Sequence, residues 1–397
     1  MEYISAAEAA EEWGVTPRQV QRLLADNRIT GARKHGRDWL IPADAEKPGD
    51  PRFEKTVTPP NTEQDTFSRA EKNIGFLKFS RDDPYSILNT ITDEKLRLIP
   101  EAVLAYMRGD FERVKCCYSE TTGDDFTRLI VSAIAVPAAI SLGDYPFFLE
   151  VENWLKGVIN MQYDVSTTAY AELALANGYM GAFAPGMVAE WIKTGDFSVL
   201  HKLARFDASF SRVVYFQCMK KYESMLDTAH TTLSLIGLVS TEKEFSLSEL
   251  TLRIRCAIAC QCLDRADDAK KYLLEAMDIA LPNGFITQFA ETITALGGLT
   301  EQCLKQMYPQ WYDAVIEQAH RLINNWVTFH NNFTKDNITS ILTVQESHVA
   351  VLAARKIPRA RIAKQLNYSE GWVDKTVNAI YEKLLISNRD DLAKYVL

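Results

Sequence analysis

A mainly α fold is predicted by three features of this chain. Capping boxes occur at Ser5-Ala6-Ala7-Glu8, Thr16-Pro17-Arg18-Gln19 and Thr343-Val344-Gln345-Glu346. In each, a hydroxyl and a Glu or Gln three residues later satisfy orphan amides at a helix start. Apolar residues recur at helical spacing through the middle of the chain, and only residues 29–42 read as extended arms. Helix-ending punctuation repeats at Gly109-Asp110-Phe111, Gly143-Asp144-Tyr145 and Gly195-Asp196-Phe197, and in altered form at Asp264-Arg265-Ala266.

The 397 residues suffice for two to four domains, and 47% hydrophobic with 24% charged content is that of an ordinary globular protein. No apolar run reaches the length of a membrane span, and the first residues lack a basic start followed by an apolar stretch. Seven cysteines, an odd number, suit a reducing compartment, so a cytoplasmic protein is expected. The net charge of −8 is unevenly spread. Residues 16–37 carry six Lys/Arg against Asp26, residues 343–397 nine against six acids, and residues 53–342 twenty-seven against thirty-seven. Positive ends on a negative middle suit phosphate contact at the ends, because affinity follows local neutralisation.

Ser5 opens a helix through Glu12 with Ile4, Ala9, Ala10 and Trp13 on its apolar side, and Gly14 turns the chain. The helix opened by Thr16, with Pro17 at its favoured first position, places Val20, Leu23 and Leu24 inward and Arg18, Gln19 and Arg22 outward. Two short arms around Gly36 predict a β-hairpin tipped with Arg33, Lys34, His35 and Arg37. Over residues 1–45 the arrangement resembles the winged helix-turn-helix of MerR-like and excisionase-like proteins, carried by Gly14-Val15-Thr16, Arg18, Arg22 and the Gly36 to Pro42 end of the wing. That resemblance implies Arg18, Gln19 and Arg22 in the major groove, with Arg33, Lys34, His35 and Arg37 at phosphates or the minor groove. The plainer alternative is a helical cap with a solvated basic loop.

Residues 46–92, with Pro48, Pro51, Pro59 and Pro60, read as a linker holding at most one short helix near Arg69 to Leu77. Residues 93–330 read as a helical array, with 34 residues between the first two punctuation marks, then 52 and 69. Small residues at Ala133, Ala135, Ala138 and Ala139, and at Ala169, Ala171, Ala174 and Ala176, permit close helix packing. Leu252 to Ala290 resembles the tetratricopeptide-like segment that precedes the DNA-binding domain in large MalT-like members of the LuxR class. Those relatives carry an ATP-binding module, whereas no G-x-x-x-x-G-K-[ST] occurs here, so no cofactor is expected.

Other constellations read as structure. Cys256, Cys260 and Cys262 lack the further ligands a zinc site needs, and adjacent Cys116 and Cys117 point to different helix faces. His320 and His330 lie among Trp311, Tyr312, Trp326 and Phe329 without a nucleophile elbow, so no enzyme is expected. The stretches Tyr179-Met180-Gly181-Ala182-Phe183 and Tyr215-Phe216-Gln217-Cys218-Met219 are either core or the lining of an effector cavity.

After a second linker at 331–342, residues 343–397 hold three short helices: one with Val349, Leu352 and Ala353 inward, one with Ile362-Ala363 and Leu366, and one capped by Ser369 and carrying Trp372 or Val373, then Val377, Ile380, Tyr381 and Leu384. Such a trio fits a helix-turn-helix module whose last helix enters the major groove. The run resembles the DNA-binding domain of LuxR-type regulators at Leu342-Thr343, Glu346, Ile362-Ala363, Leu366, Ser369, Val373, Ile380-Tyr381, Lys383-Leu384, Asn388-Arg389 and Leu392. Lys356 stands where that family has a helix-ending Gly, Ile357-Pro358 where it has a capping hydroxyl, and Asp374 where it has Lys.

By these resemblances the chain is a bacterial transcription regulator: a tetratricopeptide-like body between an N-terminal winged and a C-terminal LuxR-type helix-turn-helix. Its expected partners are double-stranded DNA, a second copy in a homodimer, and a small-molecule, peptide or protein effector on the body. Lys375, Lys383 and the wing are expected at phosphates and Trp372, Val373 and Thr376 at bases, with Arg359 and Ser369 also at the DNA. Trp372 either packs beneath that helix or contacts a base or partner. The alternative is an interaction scaffold with degenerate ends.

Overall fold

The computed structural model describes the chain apart from residues 1–2, 14, 26–28, 30–31, 36–37, 44, 46–76, 162–163, 183, 201–203, 335–341, 367, 385 and 393–397. The protein is mainly helical and divides into two units, Met1–Thr58 and Pro59–Leu397.

In the first unit, α1 (Ala6–Glu12) packs on α2 (Pro17–Ala25) beside a small antiparallel sheet of β1 (Tyr3–Ile4), β2 (Arg33–His35) and β3 (Asp38–Pro42). Ala9, Ala10, Val20, Leu24, Ile29 and Ile41 form its core. The Ser5 box forms as expected: its hydroxyl accepts from the Glu8 amide at 3.3 Å and the Glu8 carboxylate from the Ser5 amide at 2.7 Å. The hairpin also pairs as expected, Arg33 with Leu40, Lys34 with Trp39 and His35 with Asp38. Ile4 packs against the Ala9 and Ala10 core as expected, but from a third strand opposite Ile41, a pairing two residues long and too short to alternate visibly.

The second unit begins earlier than residue 93. Phe79–Ser80 (β4) pairs antiparallel with Glu244–Phe245 (β5), and the Phe79 ring lies 5.6 Å from that of Phe245. The 3-10 turn Pro84–Ser86 and α3 (Ile87–Thr90) come next. Residues 77–92 of the expected linker thus belong to the body; their partner strand lies far downstream, beyond the reach of local composition. The short helix expected near Arg69 to Leu77 lies outside the described residues apart from Leu77.

The body then runs through α4 (Glu94–Arg108), α5 (Phe111–Glu120), α6 (Asp125–Leu142), α7 (Tyr145–Asn160), α8 (Val165–Gly181), α9 (Glu190–Thr194), α10 (Arg205–Cys218), α11 (Tyr222–Val239), α12 (Leu247–Cys262), α13 (Ala266–Ala280), α14 (Thr287–Thr292), α15 (Leu299–Met307) and α16 (Tyr312–Thr334). Alternate helices form an inner ring. α4 packs on α6, α6 on α8, α8 on α10, α10 on α12, α12 on α14, and α14 returns to α4. The long α16 lies against α14, α6 and α7, where Asn325 donates to the Ser141 carbonyl and the Trp326 indole to the Gly181 carbonyl, each at 2.8 Å.

The punctuation explains the turns. Gly109, Gly143 and Gly195 end their helices in left-handed backbone (φ +86°, +68° and +82°), and the carboxylates of Asp110, Asp144 and Asp196 cap the next helical turns. Asp264 takes the glycine place at φ +59°, and Lys220 makes a further such turn at φ +56° before α11, without a glycine to announce it. Ala135, Ala138, Ala139, Ala169, Ala171, Ala174 and Ala176 are all buried, which lets α6 and α8 approach closely. α6 is the one helix among the described residues long and apolar enough to cross a membrane; it sits within the ring with 61% of that window buried.

Tyr179, Met180 and Phe216 are buried in the core and Met219 is exposed; Phe183 lies outside the described residues. An open apolar depression of about 260 Å³ lies elsewhere, between Ile159, Val165, Trp191 and Val199. Cys117, Cys256 and Cys260 are buried and Cys116 is exposed. Burial pushes the Cys256 thiol to about 12 and that of Cys260 to about 11, which keeps both protonated. His330 stacks on Trp326 at 4.8 Å.

Residues 331–334 of the second expected linker are the last turn of α16; residues 335–341 lie outside the described residues. Beyond them, α17 (Val344–Ala354), α18 (Arg359–Leu366), α19 (Glu370–Lys383) and α20 (Arg389–Leu392) enclose a separate small core of Val349, Leu352, Ile362, Val377, Ile380 and Leu392.

Candidate nucleic-acid interface

The Thr343 box starts α17: its hydroxyl accepts from the Glu346 amide at 3.2 Å and the Glu346 carboxylate from the Thr343 amide at 2.8 Å. Lys383, in the last turn of α19, donates to the same carboxylate at 2.7 Å. Burial raises the Glu346 carboxyl, but the hydrogen bonds from Lys383 and Thr343 outweigh it and hold the group below its ordinary range. Lys383 therefore ties two helix ends together, so the expected phosphate contact would compete with this ion pair.

The end of α17 shows what replaces the missing glycine. Lys356 itself adopts the left-handed conformation at φ +63°, and its amide bonds the Ala353 carbonyl. The Ile357 amide reaches back to the Leu352 carbonyl, closing the helix end as a glycine turn would, and the Arg389 guanidinium adds bonds to the carbonyls of Ala353 and Ile357. The Pro358 carbonyl accepts from the amides of Arg361 and Ile362, and among the described residues no side-chain oxygen caps α18.

Ser369 caps α19, its hydroxyl accepting from the Trp372 amide at 3.2 Å. Val373, Thr376, Val377 and Ile380 form the inward stripe at helical spacing, with Val373 at 0% and Thr376 at 7% exposure. This corrects the expectation of base contacts from Val373 and Thr376, whose side chains are sealed in the core. The outward face instead presents Glu370, Gly371, Lys375, Asn378 and Glu382. Trp372 is half-buried, packs against the small core and has its ring 3.9 Å from that of Tyr368. Arg359 is exposed but bonds Asp374 at 2.6 Å, so the acid expected to face DNA is already paired.

Two further cations, Arg361 and Lys364 of α18, are exposed, as is Lys375 of α19. Their signal was the basic spacing Arg359-Ala360-Arg361…Lys364 around the buried Ile362-Ala363 pair.

In the first unit, Arg18, Arg33 and Lys34 are exposed, and the Arg33 guanidinium lies 4.5 Å over the Tyr3 ring. Gln19 bends back: its Oε1 accepts from the Thr16 amide at 2.9 Å and hydroxyl at 3.0 Å. The Thr16 box is thus half-made, and the Gln19 acceptor is engaged at the helix start rather than free for a base. Arg22 lies on α2 and His35 on β2, with their side chains outside the described residues; Arg37 is outside them altogether.

Sequence reasoning missed the seam that joins the trio to the body. His348 of α17, 3% exposed, places Nε2 3.0 Å from the Ile293 carbonyl and Nδ1 3.0 Å from Glu301 of α15. Arg355 donates to the Ala295 carbonyl at 2.9 Å, and Gln302 to that of Gln365. Gly298 has φ +90°, and a Cβ there would lie 2.5 Å from Leu366. The seam engages α17, the end of α18 and the approach to α19, leaving the outward face of α19 open. Comparison with family models, curated proteins and solved structures finds no match to this chain.

Proposed function

We propose that the protein is a DNA-binding regulator in which a tetratricopeptide-like helical body holds and positions a C-terminal LuxR-type helix-turn-helix, with a winged helix-turn-helix at the other end. The observation that carries this reading is the open outer face of α19 beside the exposed Arg361, Lys364 and Lys375. A three-helix core that seals one side of its longest helix and frees the other suits insertion into a groove. The exposed Arg18, Arg33 and Lys34 give the first unit a similar basic surface. Double-stranded DNA is then the partner, bound by a homodimer reading two half-sites.

The seam supports control by the body. Glu301 Oε2, Thr300 Oγ1 and Arg355 Nη1 are buried without hydrogen-bond partners among the described residues, a cost of about 1–3 kcal/mol for each such atom. A contact carrying such penalties can be released by a modest effector energy. Selection from random duplexes by the full chain, followed by footprinting, tests the reading: an enriched, salt-sensitive site is expected.

The Arg359–Asp374 and Lys383–Glu346 pairs favour a second reading, a protein-interaction scaffold, because both neutralise cations a DNA reader would use. A scaffold would enrich no duplex at any salt concentration.

A further inference from the structure

The ring of α4, α6, α8, α10, α12 and α14 encloses an interior that is mostly apolar but carries one built polar group. On α14, Glu291 accepts from the Tyr106 hydroxyl of α4 at 2.5 Å and lies 3.4 Å from the Ser141 hydroxyl of α6. On α12, Arg255 gives one N–H to Gln217 of α10 at 2.7 Å and sits 5.9 Å from the centre of the Phe210 ring. Arg255 and Glu291 attract each other, yet no N···O contact within 4.0 Å joins them.

Opposite charges in an enclosed place gain most by touching, since attraction grows as the dielectric falls. Here neutral partners on neighbouring helices hold each one apart from the other. The remaining guanidinium N–H groups and Glu291 Oε2 have no partner among the described residues. Glu291 is open to solvent, and partial desolvation raises its carboxyl. Three residues back on α14, Gln288 is 2% exposed and has no partner for either amide atom among the described residues. Neither charge is fully buried, so both ends are reachable from solvent, and a pair of opposite sign held apart suits a ligand that carries both complements.

We propose that the ring interior binds a small zwitterion, a free amino acid or short peptide, with its carboxylate on Arg255 and its ammonium on Glu291. The regulatory consequence, though not the binding, rests on the function proposed above. Glu291 stands two residues before Ile293, whose carbonyl meets His348 in the seam, so occupancy bears on the helix that holds the trio.

Calorimetric titration of the full chain with each proteinogenic amino acid and with glycyl dipeptides, without DNA, tests the site and separates the two sources. Saturable binding is expected, lost at least tenfold when the best ligand is N-acetylated or converted to its amide, and likewise in Glu291→Gln and Arg255→Lys. The derivatised ligands keep the test valid if a variant fails to fold. No heat from any amino acid or dipeptide, or equal affinity for the derivatives, overturns the proposal. Because DNA is absent, failure of the regulator reading leaves this result unchanged.

Discussion

His348 and Glu301 face each other at 3.0 Å across a buried seam, one from the C-terminal helical trio and the other from the body. The other imidazole nitrogen meets the Ile293 carbonyl at 3.0 Å, so both ring nitrogens have acceptors. Removing the imidazole leaves a carboxylate and a carbonyl buried without their partner.

His348→Ala is therefore expected to destabilise the second unit by about 2–4 kcal/mol, with Glu301→Gln costing less because an acceptor is retained. Thermal unfolding followed by circular dichroism checks this. Unchanged melting in His348→Ala would show that the seam contributes nothing to stability.

Backbone strain gives a second test. Lys356→Gly should stabilise by about 1 kcal/mol, because glycine adopts the observed left-handed conformation without Cβ strain. Gly298→Ala should destabilise by about 1–3 kcal/mol, since its Cβ would strike Leu366 on the facing side of the seam. Denaturant midpoints of the two variants should move in opposite directions.

Asp207 supplies the pH dependence. Burial raises its carboxyl from 3.8 to about 6 against the opposing hydrogen bond from Ser248. An acid whose folded value lies above its unfolded one binds its proton more tightly when folded. Its contribution to stability is therefore greatest below pH 4 and lost as pH rises to 6. Asp207→Asn should raise stability at pH 7.5 by about 1–2 kcal/mol, a gain that vanishes near pH 4. A gain equal at both pH values would assign the effect to packing instead.

The two lysines of α19 separate surface from scaffold. Lys375 is exposed, whereas Lys383 is committed to Glu346 at 2.7 Å. In duplex-binding titrations, Lys375→Ala should reduce the salt slope by roughly one unit and Lys383→Ala should leave it near the wild-type value. The reverse result would place Lys383 at a phosphate after all.

Features fixed by neighbouring residues were legible in the sequence. The boxes at Ser5 and Thr343 lie within four residues, and the Gly-Asp turns announce both the left-handed end and the next cap. Lys220 and Lys356 hid the same geometry, because tertiary packing imposes it on side chains that do not prefer it. The α19 helix was legible in extent and in its Val377 and Ile380 stripe, but assigning base contacts to Val373 and Thr376 put two residues of that buried stripe on its open side. The β4–β5 pair, the closure of α14 on α4 and the His348 seam join residues remote in the chain, so no local pattern encodes them.

Whether the exposed cations of α18 and α19 grip a duplex is read by fluorescence anisotropy of the full chain on a labelled random duplex, from about 25 to 200 mM salt. Binding should weaken along a line of log K against log salt with a slope of roughly −3 to −5, shallower in an Arg361→Ala/Lys364→Ala/Lys375→Ala variant. No binding at the lowest salt, or a slope unmoved by the triple substitution, would contradict that grip.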